Sequence, residues 1–341
     1  MAFRIFYIMN LKHKFNYARI VYINHEIEEI RMAGEQSKEI GEEGERIAKN
    51  FLKIIGWGNP NSNEQLACIH SKEHKRPEAK NGRKTHGIDL SYNYISPLES
   101  DTLQNIIISV KHTSKPYPNS PQNIFKEHFK DLAQTVECYR HSDVKQEHLG
   151  IHKRYRNIRD VGVLLWITSE NSDSEVTSKV ENVILDKQLS FDTIYLVDNK
   201  RMNFIFDVLK FIGSSHSNSD INFYYPDTAL NFDNSGERFG KKLPVEYLNS
   251  PILPLLLKQG KDQVDIFCLA TTANYDSVEF KQLLYIAKEY TNGLNCEFLF
   301  LFPDYIESEH SKSINSALRE LDVTNTTSVK NFKPDFRSLN T

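Results

Sequence analysis

The sequence predicts an α/β fold. Strands and helices alternate between residues 161 and 212, as VGVLLWIT (161–168), a helix at 175–187, TIYLVD (193–198) and a helix at 201–212. That order is expected of helices packed on a sheet. Residues 105–111, NIIISVK, form a continuous apolar run of the kind found in strands buried on both faces. The tail repeats the pattern: VDIFCLA (264–270), a helix at 277–291 and CEFLFLF (296–302) read as a βαβ-like unit, with a further helix at 311–321.

From the N-terminus, residues 2–9 and 18–24 are rich in Ile, Tyr, Phe and Val and read as a β-hairpin, an extension covering residues 1–35. MAFRIFYIMNLKHKF is interrupted by Arg4 and Lys12 and has no long apolar core, so it reads as a strand rather than a signal peptide. In the first helix Ile40, Ile47, Ala48, Phe51, Leu52 and Ile55 recur at helical spacing, and Gly56 supplies a stop. A long polar segment, 58–85, contains a basic loop. Strands at 88–95 and 105–111 follow, then a Pro-rich break from Lys115 to Pro121 and a helix at 122–141. Residues 214–242, rich in Ser, Asn, Asp and Gly, read as a linker between a domain at 36–213 and an α/β region at 243–341. Within the latter, PILPLLL (251–257) suits either core packing or a partner-binding patch.

Composition excludes several classes. With 341 residues, 39% hydrophobic and 26% charged, the chain can bury a sizeable core. Its mean hydropathy of −0.51 and lack of a long apolar run argue against a spanning helix. Four cysteines, at 68, 138, 268 and 296, are too dispersed for a disulfide framework and fit the reducing cytoplasm. The net charge of −3 hides an asymmetry. Residues 1–160 hold 25 Lys/Arg against 20 Asp/Glu, residues 161–341 hold 17 against 25, and ten of the twelve histidines lie in the first part. A basic half suits a polyanion and an acidic half suits a protein partner. There is no phosphate-binding GxxxxGK[ST] loop, no GxGxxG fingerprint and no GxSxG elbow, so an ATPase, a dinucleotide enzyme or an α/β-hydrolase is unsupported.

Two polar residues stand at unusual places. Asp89 opens an apolar strand in HGIDL, and Lys111 closes the next in IIISVKHT. An unpaired buried ammonium is costly, so Lys111 either reaches water at the sheet edge or faces a carboxylate and a phosphate. Between Asp89 and the first helix lies HSKEHKRPEAKNGRKTHG (70–87), with six Lys/Arg against two Glu. Its Lys75, Arg76, Lys80, Arg83, Lys84 and His86, with His112 after Lys111, are candidates for phosphate contact, which positions DNA without reading it. Cys68-x-His70-x₃-His74 and Cys138-x₂-His141 carry zinc-ligand residue types, but the paired C-x₂₋₄-C spacing is missing and the zinc reading is weak.

These residues resemble the PD-(D/E)xK nuclease superfamily, the restriction-endonuclease-like fold. Gly44-Glu45, Ala48, Phe51-Leu52 and Gly56-Trp57 resemble its opening helix; Gly87-Ile88-Asp89-Leu90 resembles its Asp strand; Ser109-Val110-Lys111 stands where the family writes (D/E)-x-K. The resemblance spans residues 36–200 and implies a core of mixed sheet flanked by helices. It implies a metal-dependent DNA endonuclease using Mg²⁺ or Mn²⁺, with Asp89 and Glu45 as metal ligands, Lys111 at the scissile phosphate and Gln134 holding water or phosphate. Stand-alone nucleases of this kind resemble subunits of bacterial antiphage defence systems, which implies a homo- or hetero-oligomer with a protein partner, here met by the acidic half, and no membrane. One position departs from the pattern. Ser109 replaces an acid, so either Glu45 supplies the missing carboxylate or the domain binds nucleic acid, as a scaffold subunit, without cutting it.

Overall fold

The computed structural model describes residues 35, 38–76, 79–231, 238–292 and 294–333; the expected N-terminal hairpin lies outside them. Helix α1 spans 38–54. It is followed by β1 (Asn61–Ala67), β2 (Thr85–Ile95), β3 (Thr102–Thr113), α2 (Gln122–Tyr139), α3 (Asp143–Gly150), β4 (Asn157–Thr168), α4 (Thr177–Val180), β5 (Thr193–Val197) and α5 (Asn199–Ser215). The first sheet runs β1-β2-β3-β4-β5, antiparallel across β1/β2 and β2/β3 and parallel across β3/β4 and β4/β5. It is therefore a mixed sheet flanked by helices, as expected of a restriction-endonuclease-like core.

The two faces of this sheet are read directly from side-chain alternation. On β3, Ile106 and Ile108 join a cluster with Ala48, Phe51 and Leu52 of α1 and Ile205 and Val208 of α5. Ile107, pointing the other way, packs with Phe125, Phe129 and Leu132 of α2. The period of two decides which helix each β3 side chain meets.

Several apolar and small positions of the opening helix have a packing reason. A Cβ on Gly44 would lie 2.3 Å from Cβ of His112, so only glycine lets α1 lie against the end of β3. Ala48 and Leu52 are buried. Gly56 has φ +81° and closes α1 with Trp57 N–H to Leu52 C=O (2.8 Å) and Gly56 N–H to Lys53 C=O (3.2 Å), a Schellman pair. The Trp57 indole then donates to the Leu243 carbonyl at 2.8 Å, tying α1 to the C-terminal part.

A second sheet follows: β6 (Asp220–Tyr224), β7 (Phe239–Gly240), β8 (Ile252–Lys258), β9 (Asp265–Thr271), β10 (Cys296–Phe302) and β11 (Thr327–Asn331), in the order β11-β10-β9-β8-β6-β7. Helices α6 (Ser277–Tyr290) and α7 (Glu307–Glu320) join its parallel strands. PILPLLL is core: Leu253, Leu255 and Leu257 of β8 join the α1/α5 cluster, and Leu256 packs with Phe267 and Phe298. The linker reading of 214–242 is corrected, because β6 inside it is hydrogen-bonded between β7 and β8. The helix expected at 175–187 shrinks to α4, a single turn whose start is held by Asp198: its Oδ2 accepts from the N–H groups of Val176 and Thr177. Among the described residues, no helix is long and apolar enough to cross a membrane.

Candidate active site

Strands β2 and β3 pair from Ile95↔Leu103 down to Leu90↔Ile108 and then part. Beyond that point the start of β2 continues only on β1, and the end of β3 only on β4. Asp89 sits in the fork. Its Oδ2 accepts the Val110 N–H at 2.7 Å and the Ser109 hydroxyl at 3.3 Å. The carboxylate thus satisfies a strand N–H that the diverging ladder leaves without a carbonyl partner. Among the described residues nothing donates to its Oδ1, so half of the carboxylate is open to a ligand.

Lys111 lies two residues past Ser109, on the α2 face by alternation. Its ammonium is 4.0 Å from Oδ2 of Asp131 on α2, and its side chain is 28% exposed, enough to reach a ligand. Asp131 also receives Arg83 at 2.5 Å. Burial alone would raise the Asp131 carboxyl, but the hydrogen bond and charge of Arg83, with Lys111, hold it below its ordinary value. Asp131 is therefore an anion between two cations. His128, one turn earlier on α2, is pushed down to about 4 by burial and then by the Lys111 charge. Gln134, one turn later, is 7% exposed.

A neutral folded-state His128 has a consequence for acid stability. Between its ordinary value of 6.5 and its folded value of about 4, the unfolded chain binds the proton and the folded chain does not. Stability must then fall as pH drops through that window. Replacing His128 with Gln should flatten this part of the pH–stability curve by on the order of 1 kcal/mol, with partial exposure reducing the effect, in denaturant titrations from pH 7 to 4.

Glu45 is not bonded to this constellation. On α1 its carboxylate is 3.8 Å from Lys49, and among the described residues no hydrogen bond or ion pair joins it to Asp89 or Lys111. The helix that carries it packs on the face of β3 opposite α2.

The basic residues divide. Lys75, Arg76 and Arg83 line a cavity of about 760 Å³ with His128, Lys130, Asp131 and Gln134, while Lys80 and Lys84 are exposed on the same loop. Arg83 is committed to Asp131. His86 is a correction: it is 0% exposed, and burial, then the nearby Arg83 charge, pushes it down to about 3, so it offers phosphate neither access nor charge. His112 is a packing residue, with Nδ1 2.6 Å from the Ile40 carbonyl and Nε2 2.9 Å from the Ser169 hydroxyl. Sequence reasoning missed Asp131 and His128; the only available signal was their i, i+3 spacing ahead of Gln134 on one helix.

Residues 32–201 match the family model described as the GAPS4 protein PD-(D/E)XK nuclease domain. No curated protein and no solved structure matches the chain.

Proposed function

Because residues 32–201 belong to the PD-(D/E)XK nuclease domain family of GAPS4 proteins, we propose that this chain hydrolyses DNA phosphodiester bonds with a divalent ion, Mg²⁺ or Mn²⁺, held at Asp89. The observation that carries the proposal is the β2/β3 fork, where Asp89 is anchored by Val110 and Ser109 two residues before Lys111. The donor set fits a hard cation: a carboxylate with an open oxygen and a neutral hydroxyl, which Mg²⁺ accepts when phosphate and water complete its shell. Glu45 is the candidate second carboxylate. A metal so held would lower the pKa of bound water and neutralise phosphate charge. Lys111 would stabilise charge developing on the phosphate, and Gln134 would orient water or a phosphate oxygen. Lys75, Arg76, Lys80 and Lys84 would hold the backbone through contacts that weaken as salt rises.

A second reading rests on Ser109. Its hydroxyl hydrogen-bonds the very carboxylate it would assist and brings no charge. In that reading the domain binds nucleic acid and a partner cuts. In either reading the surroundings are those of antiphage defence, with the acidic half (17 Lys/Arg against 25 Asp/Glu) meeting a protein partner. Full-length protein given linear and circular DNA with Mg²⁺ or Mn²⁺ separates the two. Metal-dependent cleavage supports the nuclease; tight, salt-sensitive binding without cleavage under either metal supports the second reading.

A further inference from the structure

The loop joining β1 to β2, residues 68–84, is polar and seventeen residues long, yet it is held closely. Cys68 N–H donates to the Lys84 carbonyl at 2.9 Å, Arg83 N–H to the Ser71 carbonyl at 2.8 Å, and His74 N–H to the His70 carbonyl at 2.9 Å. A loop of this length with so little apolar content needs another source of order. Under it, Cys68, His74, His86 of β2 and Cys138 of α2 place one donor atom each within 4.8 Å of one another; three of the four residues are buried.

Hydrogen bonding does not account for this cluster. The sulfurs of Cys68 and Cys138 each lie 3.5 Å from Nδ1 of His74, and Nε2 of His86 lies 3.2 Å from the same atom. One ring nitrogen cannot serve three partners. The outer atoms also fix both tautomers. Nε2 of His74 faces the Glu137 carboxylate at 3.2 Å, which only accepts, so that nitrogen carries the proton. Nδ1 of His86 faces the Thr135 hydroxyl at 3.2 Å, whose own proton goes to the Asp131 carbonyl at 2.7 Å, so Nδ1 of His86 also carries the proton. The two inward nitrogens then present lone pairs to each other at 3.2 Å, an arrangement that needs a cation.

We infer that Cys68, His74, His86 and Cys138 form a tetrahedral Cys₂His₂ zinc site that staples the basic loop and the start of β2 to α2. With Zn–S of about 2.3 Å and Zn–N of about 2.05 Å, a tetrahedral ion spaces sulfur and nitrogen donors about 3.5 Å apart and two nitrogens about 3.3 Å apart. The observed 3.5, 3.5 and 3.2 Å match that spacing. Outer partners are of the kind that orient zinc histidines: a carboxylate on His74 and a hydroxyl, itself bound to a helix carbonyl, on His86. The weak sequence reading of zinc had two of the ligands wrong. His70 pairs with Glu137 at 3.6 Å and His141 is exposed, while His86 joins Cys68, His74 and Cys138 to complete the set. The site is separate from the Asp89 fork, and its donors are soft where those of the fork are hard. It acts on the fork through position, since Arg83 and Asp131 both lie on segments it joins.

Metal analysis of the full-length chain, purified without chelator, tests this. About one zinc per chain is expected, with at least a tenfold drop in Cys138→Ser and His86→Ala. Because those variants can misfold, the wild-type chain is also loaded with Co²⁺, which should give the visible bands and thiolate charge transfer of a tetrahedral S₂N₂ centre. The ligand-preserving His86→Cys should keep the metal. Zinc removal should expose the 68–84 loop to trypsin. A metal-free wild type, a Cys68–Cys138 disulfide, or zinc content unchanged in both variants would overturn the assignment.

Discussion

Gly56→Ala should unfold or severely destabilise the protein, by about 2–5 kcal/mol. Two costs add. The left-handed conformation, φ +81°, costs a residue with a Cβ about 1–2 kcal/mol. The new methyl would lie 1.9 Å from the Lys241 carbonyl oxygen, a backbone atom with little room to yield, which adds an overpacking term of about 1–3 kcal/mol. The segment that would have to move is already fixed to α1: Leu243 N–H donates to the Ile55 carbonyl at 2.9 Å and the Leu243 carbonyl accepts from Trp57 at 2.8 Å. A shift there would disturb the cluster shared by α1, α5 and β8. Chemical denaturation followed by Trp fluorescence measures this; a loss below 1 kcal/mol would show that the segment relaxes freely.

Lys111→Ala should lower DNA cleavage by about 10²–10³-fold, the usual cost of removing one preorganised charge from a reacting centre. Binding should change far less, because the loop cations remain. The same variant carries an internal control. The Lys111 charge is one cause of the depressed His128 value, so its removal should raise the His128 pKa from about 4, as read by NMR titration. Asp131 keeps Arg83 at 2.5 Å and stays ionised. If cleavage is lost while His128 is unmoved, Lys111 does not occupy the place described.

Much of the first domain was legible because its central strands are continuous apolar runs, buried on both faces, and its opening helix carries an apolar stripe. Strand β1 was not. NSNEQLA buries only Leu66, so an edge strand of this kind leaves no period-two pattern. Of the 175–187 helix only one turn forms, its start held by Asp198, a residue of the next connection. Strand β6 was hidden in a polar stretch, with Phe223 and Tyr224 as its only fully buried apolar residues. Within the site, Asp89 and Lys111 were visible because a charged residue at the end of an apolar strand is conspicuous. Asp131 was not, since a carboxylate on a helix ordinarily faces water. The cysteine–histidine cluster was only partly legible: Cys68, His74 and Cys138 stood out by residue type, but His86 did not, because the members come from a loop, β2 and α2 and only the fold brings them together.

Asp89→Asn separates charge from architecture. The amide oxygen can still accept the Val110 N–H, so the fork should keep its shape while losing the carboxylate that would hold a divalent ion. The decisive measurement is the single-turnover cleavage rate of wild type and Asp89→Asn on the same DNA at saturating Mn²⁺, with binding measured in parallel. Metal-dependent cleavage by the wild type and none by Asp89→Asn, at similar DNA affinity, is the predicted result. Cleavage by Asp89→Asn at the wild-type rate would contradict it.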